Sequence, residues 1–257
     1  MMELTFLGTG TSTGVPLIGC HCPVCRSGDI RDRRLRSSLY VKNDDVAIVI
    51  DTGPDFRTQM LDNQIETLDA VLITHPHKDH LAGLDDTKPF SWMNKKAFPI
   101  YGNKNAMDAV KNDFAYAFER LRYPGTPIFD LHNVENEPFI VNNTEVVPIP
   151  LLHYRMPVLG YRIGNMAYIT DASVIPDNSF HLLKNLDILI INALREKAHI
   201  AHFSLSEALQ MIDAIAPQKA FLTHAGHDLG LYEEVSETLP ENVCLAYDGL
   251  KIILSEP

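Results

Sequence analysis

The segment His75-Pro76-His77-Lys78-Asp79-His80 places four side chains able to bind a metal within six residues. Imidazole nitrogen and carboxylate oxygen are good zinc ligands, and manganese and iron accept the same donors. The segment follows Ala70-Val71-Leu72-Ile73-Thr74, an apolar, β-branched run of strand length. A polar loop with exposed histidines would account for a single such residue, but not for this spacing directly behind a buried strand. A second cluster, Cys20-His21-Cys22-Pro23-Val24-Cys25, has the form C-x-C-x2-C. Three thiols this close suit a closed tetrahedral zinc site that needs one more ligand; the alternative is three reduced, uncoordinated thiols in a loop. Cys244 lies in an apolar run and reads as core.

The elements that must position these groups are short. The runs 46–50, 146–152, 166–170, 187–191 and 220–223 are mostly apolar, and they end at Asp51, His153, Asp171, Asn192 and His224. Residues just beyond strand ends share one rim of a sheet, where functional loops gather, so ligands far apart in sequence can converge. Apolar spacing predicts helices over 105–122, stopping before Pro124-Gly125, and over 204–215, opened by the capping pattern Ser204-x-x-Glu207 and closed before Pro217. Strands alternating with helices indicate an α/β protein. No repeat, low-complexity tract or linker divides the chain, so 1–257 reads as one domain with a cysteine loop at 19–26. The stretch 85–127 breaks the strand rhythm and reads as an insertion near the site, with Trp92, Tyr101, Tyr116 and Tyr123 mostly packing.

With 257 residues, 46% of them hydrophobic, the chain can bury a substantial core. Its formal charge of −11 speaks against nucleic acid and anionic membranes as partners. Met1-Met2-Glu3-Leu4 lacks the basic and apolar stretches of a signal peptide, and no apolar run approaches the roughly 20 residues that span a bilayer. With its clustered thiols, the chain reads as cytoplasmic. Arg31, Arg33, Arg34 and Arg36 are suited to phosphate, but the interspersed Asp29 and Asp32 make local ion pairs their expected role.

The H-x-H-x-D-H segment, the upstream Asp51-Thr52-Gly53 and the order His153, Asp171, His224 resemble the metallo-β-lactamase superfamily. The resemblance implies a four-layer αββα sandwich with the site between the sheets. It implies that His75, His77 and His153 hold one divalent metal, that Asp79, His80 and His224 hold another, and that Asp171 bridges them around a hydroxide. Gly19 to Cys25, Phe6-Leu7-Gly8-Thr9-Gly10-Thr11, Leu222-Thr223-His224-x-x-His227 and Tyr247-Asp248-Gly249 further resemble the PhnP-like branch, the cyclic phosphodiesterases of phosphonate utilisation. That branch implies that His227 completes a structural zinc with Cys20, Cys22 and Cys25. It also implies that His202 is an active-site histidine, here the candidate proton donor beside the catalytic Asp79 and Asp171. Two zinc or manganese ions, a small cyclic phosphodiester and a homodimer follow from the same resemblance. A thioester or lactone hydrolase, a tRNA-processing nuclease and a metal-stabilised binding module remain open alternatives. His77, where di-iron relatives carry Glu, speaks against redox chemistry. His199, a weaker candidate than His202, reads as ordinary surface, and His21, His132 and His181 have no supporting context.

Overall fold

The computed structural model describes residues 1–121 and 124–254. Strands β1 (Met2–Gly8), β2 (Ser38–Lys42), β3 (Ala47–Ile50), β4 (Ala70–Ile73), β5 (Phe98–Gly102) and β6 (Phe129–Asn133) lie in chain order across one sheet. A second sheet holds β7 (Phe139–Val141), β8 (Thr144–His153), β9 (Met156–Ile163), β10 (Met166–Ile169), β11 (Ile188–Asn192), β12 (Lys219–Thr223) and β13 (Val243–Leu245). The last strand, β14 (Lys251–Leu254), returns to the first sheet beside β1 and gives each sheet seven strands. The pairs from β3 to β6 and from β10 to β13 are parallel, and the others are antiparallel.

Continuous apolar runs mark strands buried on both faces, and three separate cores show what covers them. Ile48, Ile50 and Leu72 pack between the sheets against Tyr161, Tyr168, Ile188 and Ile190. Their neighbours Ala47, Val49 and Val71 point the other way, towards Phe56, Phe90 and Val110. Those residues lie on α1 (Phe56–Asp62), α3 (Lys88–Asn94) and α4 (Lys104–Asp113); between α1 and α3, a single turn, α2 (Lys78–Leu81), sits inside the histidine-rich loop. On the far side Leu189 and Ile191 meet Ala208, Ile212 and Val235 of α5 (Leu205–Ile215) and α6 (Tyr232–Thr238). The result is the expected order of helix, sheet, sheet, helix.

The Ser204–Glu207 capping box forms at the start of α5. The other expected helix is shorter than its pattern. It ends at Asp113, and a separate turn over Ala115–Phe118 follows, keeping Phe114 and Phe118 on Phe129. Arg122 and Tyr123 lie outside the described residues. The stretch 85–127, read from sequence as an insertion, carries β5, which is hydrogen-bonded between β4 and β6. Pro99 within that strand hides it from pattern reading, because proline cannot donate to a ladder. No helix among the described residues is long and apolar enough to cross a membrane.

Candidate metal centre

The ligand candidates sit where strands end. His75 follows β4, His153 closes β8, Asp171 lies just past β10 and His224 follows β12. Asp51, Asp171 and His224 take left-handed backbone, with φ of 65°, 54° and 56°, a conformation seldom adopted by non-glycine residues and concentrated at functional sites. Gly53 makes room for the histidine loop: a Cβ there would lie 2.2 Å from the Asp79 carbonyl oxygen.

Donor atoms of His75, His77 and His153 come within 4.8 Å of one another, as do those of Asp79, Asp171 and His224. His80 lies between the two groups, with Nε2 3.0 Å from Asp171 Oδ2 and 3.1 Å from Asp79 Oδ2. Asp171 is central: its Oδ1 is also 3.2 Å from His224 Nε2 and 3.4 Å from His202 Nδ1. The seven residues expected around the catalytic pair therefore converge.

Hydrogen bonding decides which nitrogen each ring presents. The Thr74 hydroxyl donates to Asp51 Oδ2 at 2.8 Å, so its 3.0 Å contact with His75 Nδ1 accepts a proton from the ring. The Ser37 hydroxyl donates to the Gly10 carbonyl at 2.9 Å and must accept from His224 Nδ1 at 3.1 Å. His153 Nδ1 donates to the Ala201 carbonyl at 2.7 Å, and His80 Nδ1 donates to Asp51 at 2.7 Å. Four imidazoles thus carry the proton on Nδ1 and turn Nε2 inward. The Nε2 atom of His75 is buried without a hydrogen-bond partner, and that of His80 faces the carboxylates of Asp171 and Asp79 at 3.0 and 3.1 Å. At His224 the inward lone pair faces a carboxylate oxygen at 3.2 Å, and the Thr11 hydroxyl reaches it at 3.3 Å. Inward ring nitrogens gathered beside buried carboxylates are what bound cations resolve, so these residues fit a divalent metal pair.

The electrostatics agree. Burial pushes His75, His77 and His224 below the usual histidine value, keeping them neutral as ligands must be. Burial also opposes charge on His80, but Asp171 and Asp51 outweigh it and hold its imidazolium well above that value; in the protein alone a proton fills the place of a cation. Burial works against ionised Asp171 and Asp79, and the neighbouring histidines keep both carboxyls below the usual carboxylate range. His202 stacks on His224 at 5.0 Å and lies 4.7 Å from His153, and burial lowers it to about 3. His199 is 5.1 Å from His202, nearer the site than its sequence context indicated.

The second cluster also assembles. His227 Nδ1 lies 3.4 Å from Cys20 Sγ and 3.3 Å from Cys22 Sγ, and Cys25 completes a group whose donor atoms are within 4.8 Å of one another. The Cys25 N–H and His227 lower the Cys22 thiol to about 6, while burial raises Cys25 to about 11. Arg31 pairs with Asp29 at 2.6 Å as expected, whereas Asp32 accepts from the Tyr232 N–H and Arg34 is buried against Thr9 and the Ala246 carbonyl. Sequence reasoning did not assign the orienting roles of Ser37, Thr74 and Asp51; only Asp51 and Thr74 carried a signal, one within the D-x-G turn and the other next to His75.

Residues 47–225 match the β-lactamase superfamily domain. A solved diphosphatase of the PhnP family is 40% identical, with a TM-score of 0.91 over 98% of this chain and 96% of that one. The zinc-bound PqqB of Methylobacterium extorquens is 19% identical and shares the fold, with a TM-score of 0.78 over 98% of this chain and all of that one (100%). Among curated proteins, an octanoyltransferase of Porphyromonas gingivalis is 42% identical over 99% of this chain and 52% of its own length. A ribonuclease Z of a Nostoc species is 28% identical over 63% of this chain and 46% of its own. The chain thus spans about half the length of these curated relatives. It belongs to the β-lactamase superfamily and is similar along nearly its whole length to a PhnP-family structure.

Proposed function

We propose that the chain is a binuclear metal-dependent phosphodiesterase acting on a small, cyclic phosphodiester. The observation that carries this reading is the inward Nε2 set of His75, His80, His153 and His224 around Asp171, with His77 and Asp79 completing two ligand groups. His75, His77 and His153 would hold one ion, Asp79, His80 and His224 the other, and Asp171 would link them. Zinc or manganese bound there supplies an activated water and neutralises phosphate charge. Cys20, Cys22, Cys25 and His227 would hold a structural zinc. The PhnP-family diphosphatase, at 40% identity, supports a phosphorus centre as the site of attack.

The chain's own groups supply the rest. Asp51 and the Ala201 carbonyl fix ring orientation, so the ligands need little reorganisation. His202 is outside the seven ligands assigned to the two ions, yet its donor atom lies within 4.8 Å of those of His153 and Asp171, with Nδ1 3.4 Å from Asp171. We assign it protonation of the leaving oxygen, with the negative charge of a bound phosphodiester favouring its protonated form. A cytoplasmic setting, where thiols stay reduced, suits the cysteine cluster.

The test is turnover by metal-replete protein of cyclic ribose phosphates, cyclic nucleotides, a bis-aryl phosphate, a diphosphate, a thioester, a lactone and a precursor tRNA. The reading expects a cyclic phosphodiester to lead. A leading thioester would favour an acyl substrate, and a leading tRNA the nuclease alternative. His202→Ala should slow a substrate with a poor alkoxide leaving group by about 10²–10⁴-fold and largely spare a nitrophenyl ester. Equal slowing of both, at unchanged metal content, would remove His202 as the proton donor.

A further inference from the structure

The loop Gly8-Thr9-Gly10-Thr11-Ser12-Thr13-Gly14 joins β1 to the cysteine segment, and the ligand assignment uses none of its side chains. Its path is rigid. Gly10 N donates to the Leu35 carbonyl at 2.8 Å, Thr11 N to the Ala225 carbonyl at 3.2 Å, and Ala225 N to the Thr9 carbonyl at 2.9 Å. A Cβ on Gly10 would lie 2.8 Å from the Arg34 carbonyl oxygen, so only glycine lets the loop lie this close to 34–36. The two threonines flanking Gly10 are used differently. Thr9 is fully buried; its hydroxyl donates to Asp248 at 2.7 Å and accepts from Arg34 at 2.8 Å. Thr11 is 9% exposed, and its hydroxyl meets His224 Nε2 at 3.3 Å.

That contact has a direction. His224 already carries its proton on Nδ1, where Ser37 accepts it, so Nε2 has only a lone pair and the Thr11 hydroxyl must donate. The same lone pair is the one His224 would offer a metal. Both cannot use it, and a ligating His224 leaves Thr11 with a proton and no acceptor. The Thr11 methyl is on the Gly226 side, 3.7 Å from where a Cβ of that residue would stand, and the hydroxyl is directed at His224. A nearly buried donor without a partner is unfavourable, and the acceptor that enters this space during reaction belongs to the substrate.

We propose that Thr11 is a substrate-binding residue whose hydroxyl donates to a non-bridging phosphoryl oxygen on the His224 side of the site. This rests on the phosphodiesterase reading for the identity of the oxygen. A phosphoryl group carries several charged oxygens, so one remains for Thr11 when others face cations. A thioester or lactone carbonyl has a single oxygen and cannot serve both.

The experiment titrates inorganic phosphate into cobalt-substituted protein, following the visible absorption of the metal, and measures KM and kcat on a bis-aryl phosphate. Thr11→Val keeps the shape and removes the donor. It should weaken phosphate binding by about 10–100-fold, the range for a hydrogen bond to a charged group. Cobalt content and the phosphate-free spectrum should stay at wild-type values, and Thr11→Ser should recover most of the binding. Unchanged phosphate affinity in Thr11→Val overturns the assignment. So does a loss of cobalt that accounts for the weaker binding. If wild-type protein binds phosphate but turns over no phosphodiester, the proposed function fails, while the phosphate titration still decides the role of Thr11.

Discussion

At the scale of single residues, the site is defined by protons as much as by ligands. A histidine can bind a metal only through a nitrogen without a proton, and the partner of the other nitrogen chooses which that is. Ser37 makes this choice for His224: it is 1% exposed and can accept from Nδ1 only because its own proton goes to Gly10. Ser37→Ala should therefore lower affinity for the metal at His224 by about 10–100-fold, as losses of such supporting contacts do. Competition of zinc against a chromophoric chelator measures it. An affinity equal to that of the wild type would mean that the backbone alone orients the ring.

At the scale of elements, the cysteine loop before β2 and the loop after β12 are tied at several points. His227 faces two thiols at 3.3 and 3.4 Å, three residues after His224. Beside it, the Tyr232 N–H donates to Asp32 at 2.7 Å and Arg31 lies 4.2 Å over the Tyr232 ring. If the proposed zinc is held here, Cys22→Ser should lower zinc content by about one equivalent and reduce the melting temperature, because binding at a structural site contributes folding free energy. The Asp32 and Arg31 contacts should keep the fold assembled. Metal analysis and a thermal melt of the same preparation decide this; an unchanged metal count would leave the cluster as ordinary thiols.

At the scale of the whole molecule, Asp248 joins the two ends of the chain. It accepts from Thr9 N at 2.9 Å, Thr9 Oγ1 at 2.7 Å and Leu35 N at 2.6 Å, and burial raises its carboxyl to about 6. An unfolded chain releases that proton near pH 4, so between about pH 4 and about 6 the folded state holds a proton that the unfolded state has lost. Stability should then fall as pH rises through this window, by at most about 3 kcal/mol. Urea unfolding of Asp248→Asn should show a smaller fall across the same window than wild type; parallel curves would place the titration elsewhere. The sequence by itself determined the residue types and the strands that carry them. The His75–His80 spacing and the polar residues after β-branched runs are local, and strand burial on both faces appears as uninterrupted apolar sequence. Much of the rest escaped it, and two cases show one physical reason, the dependence on distant partners. β5 is a strand because β4 and β6 flank it, despite Pro99. His224 presents Nε2 because Ser37, 187 positions away, accepts from its other nitrogen, and Thr11, 213 positions away, stands at the lone pair that remains. Only tertiary structure brings such groups to hydrogen-bonding distance, about 3 Å, and so only it decided which atoms face the centre.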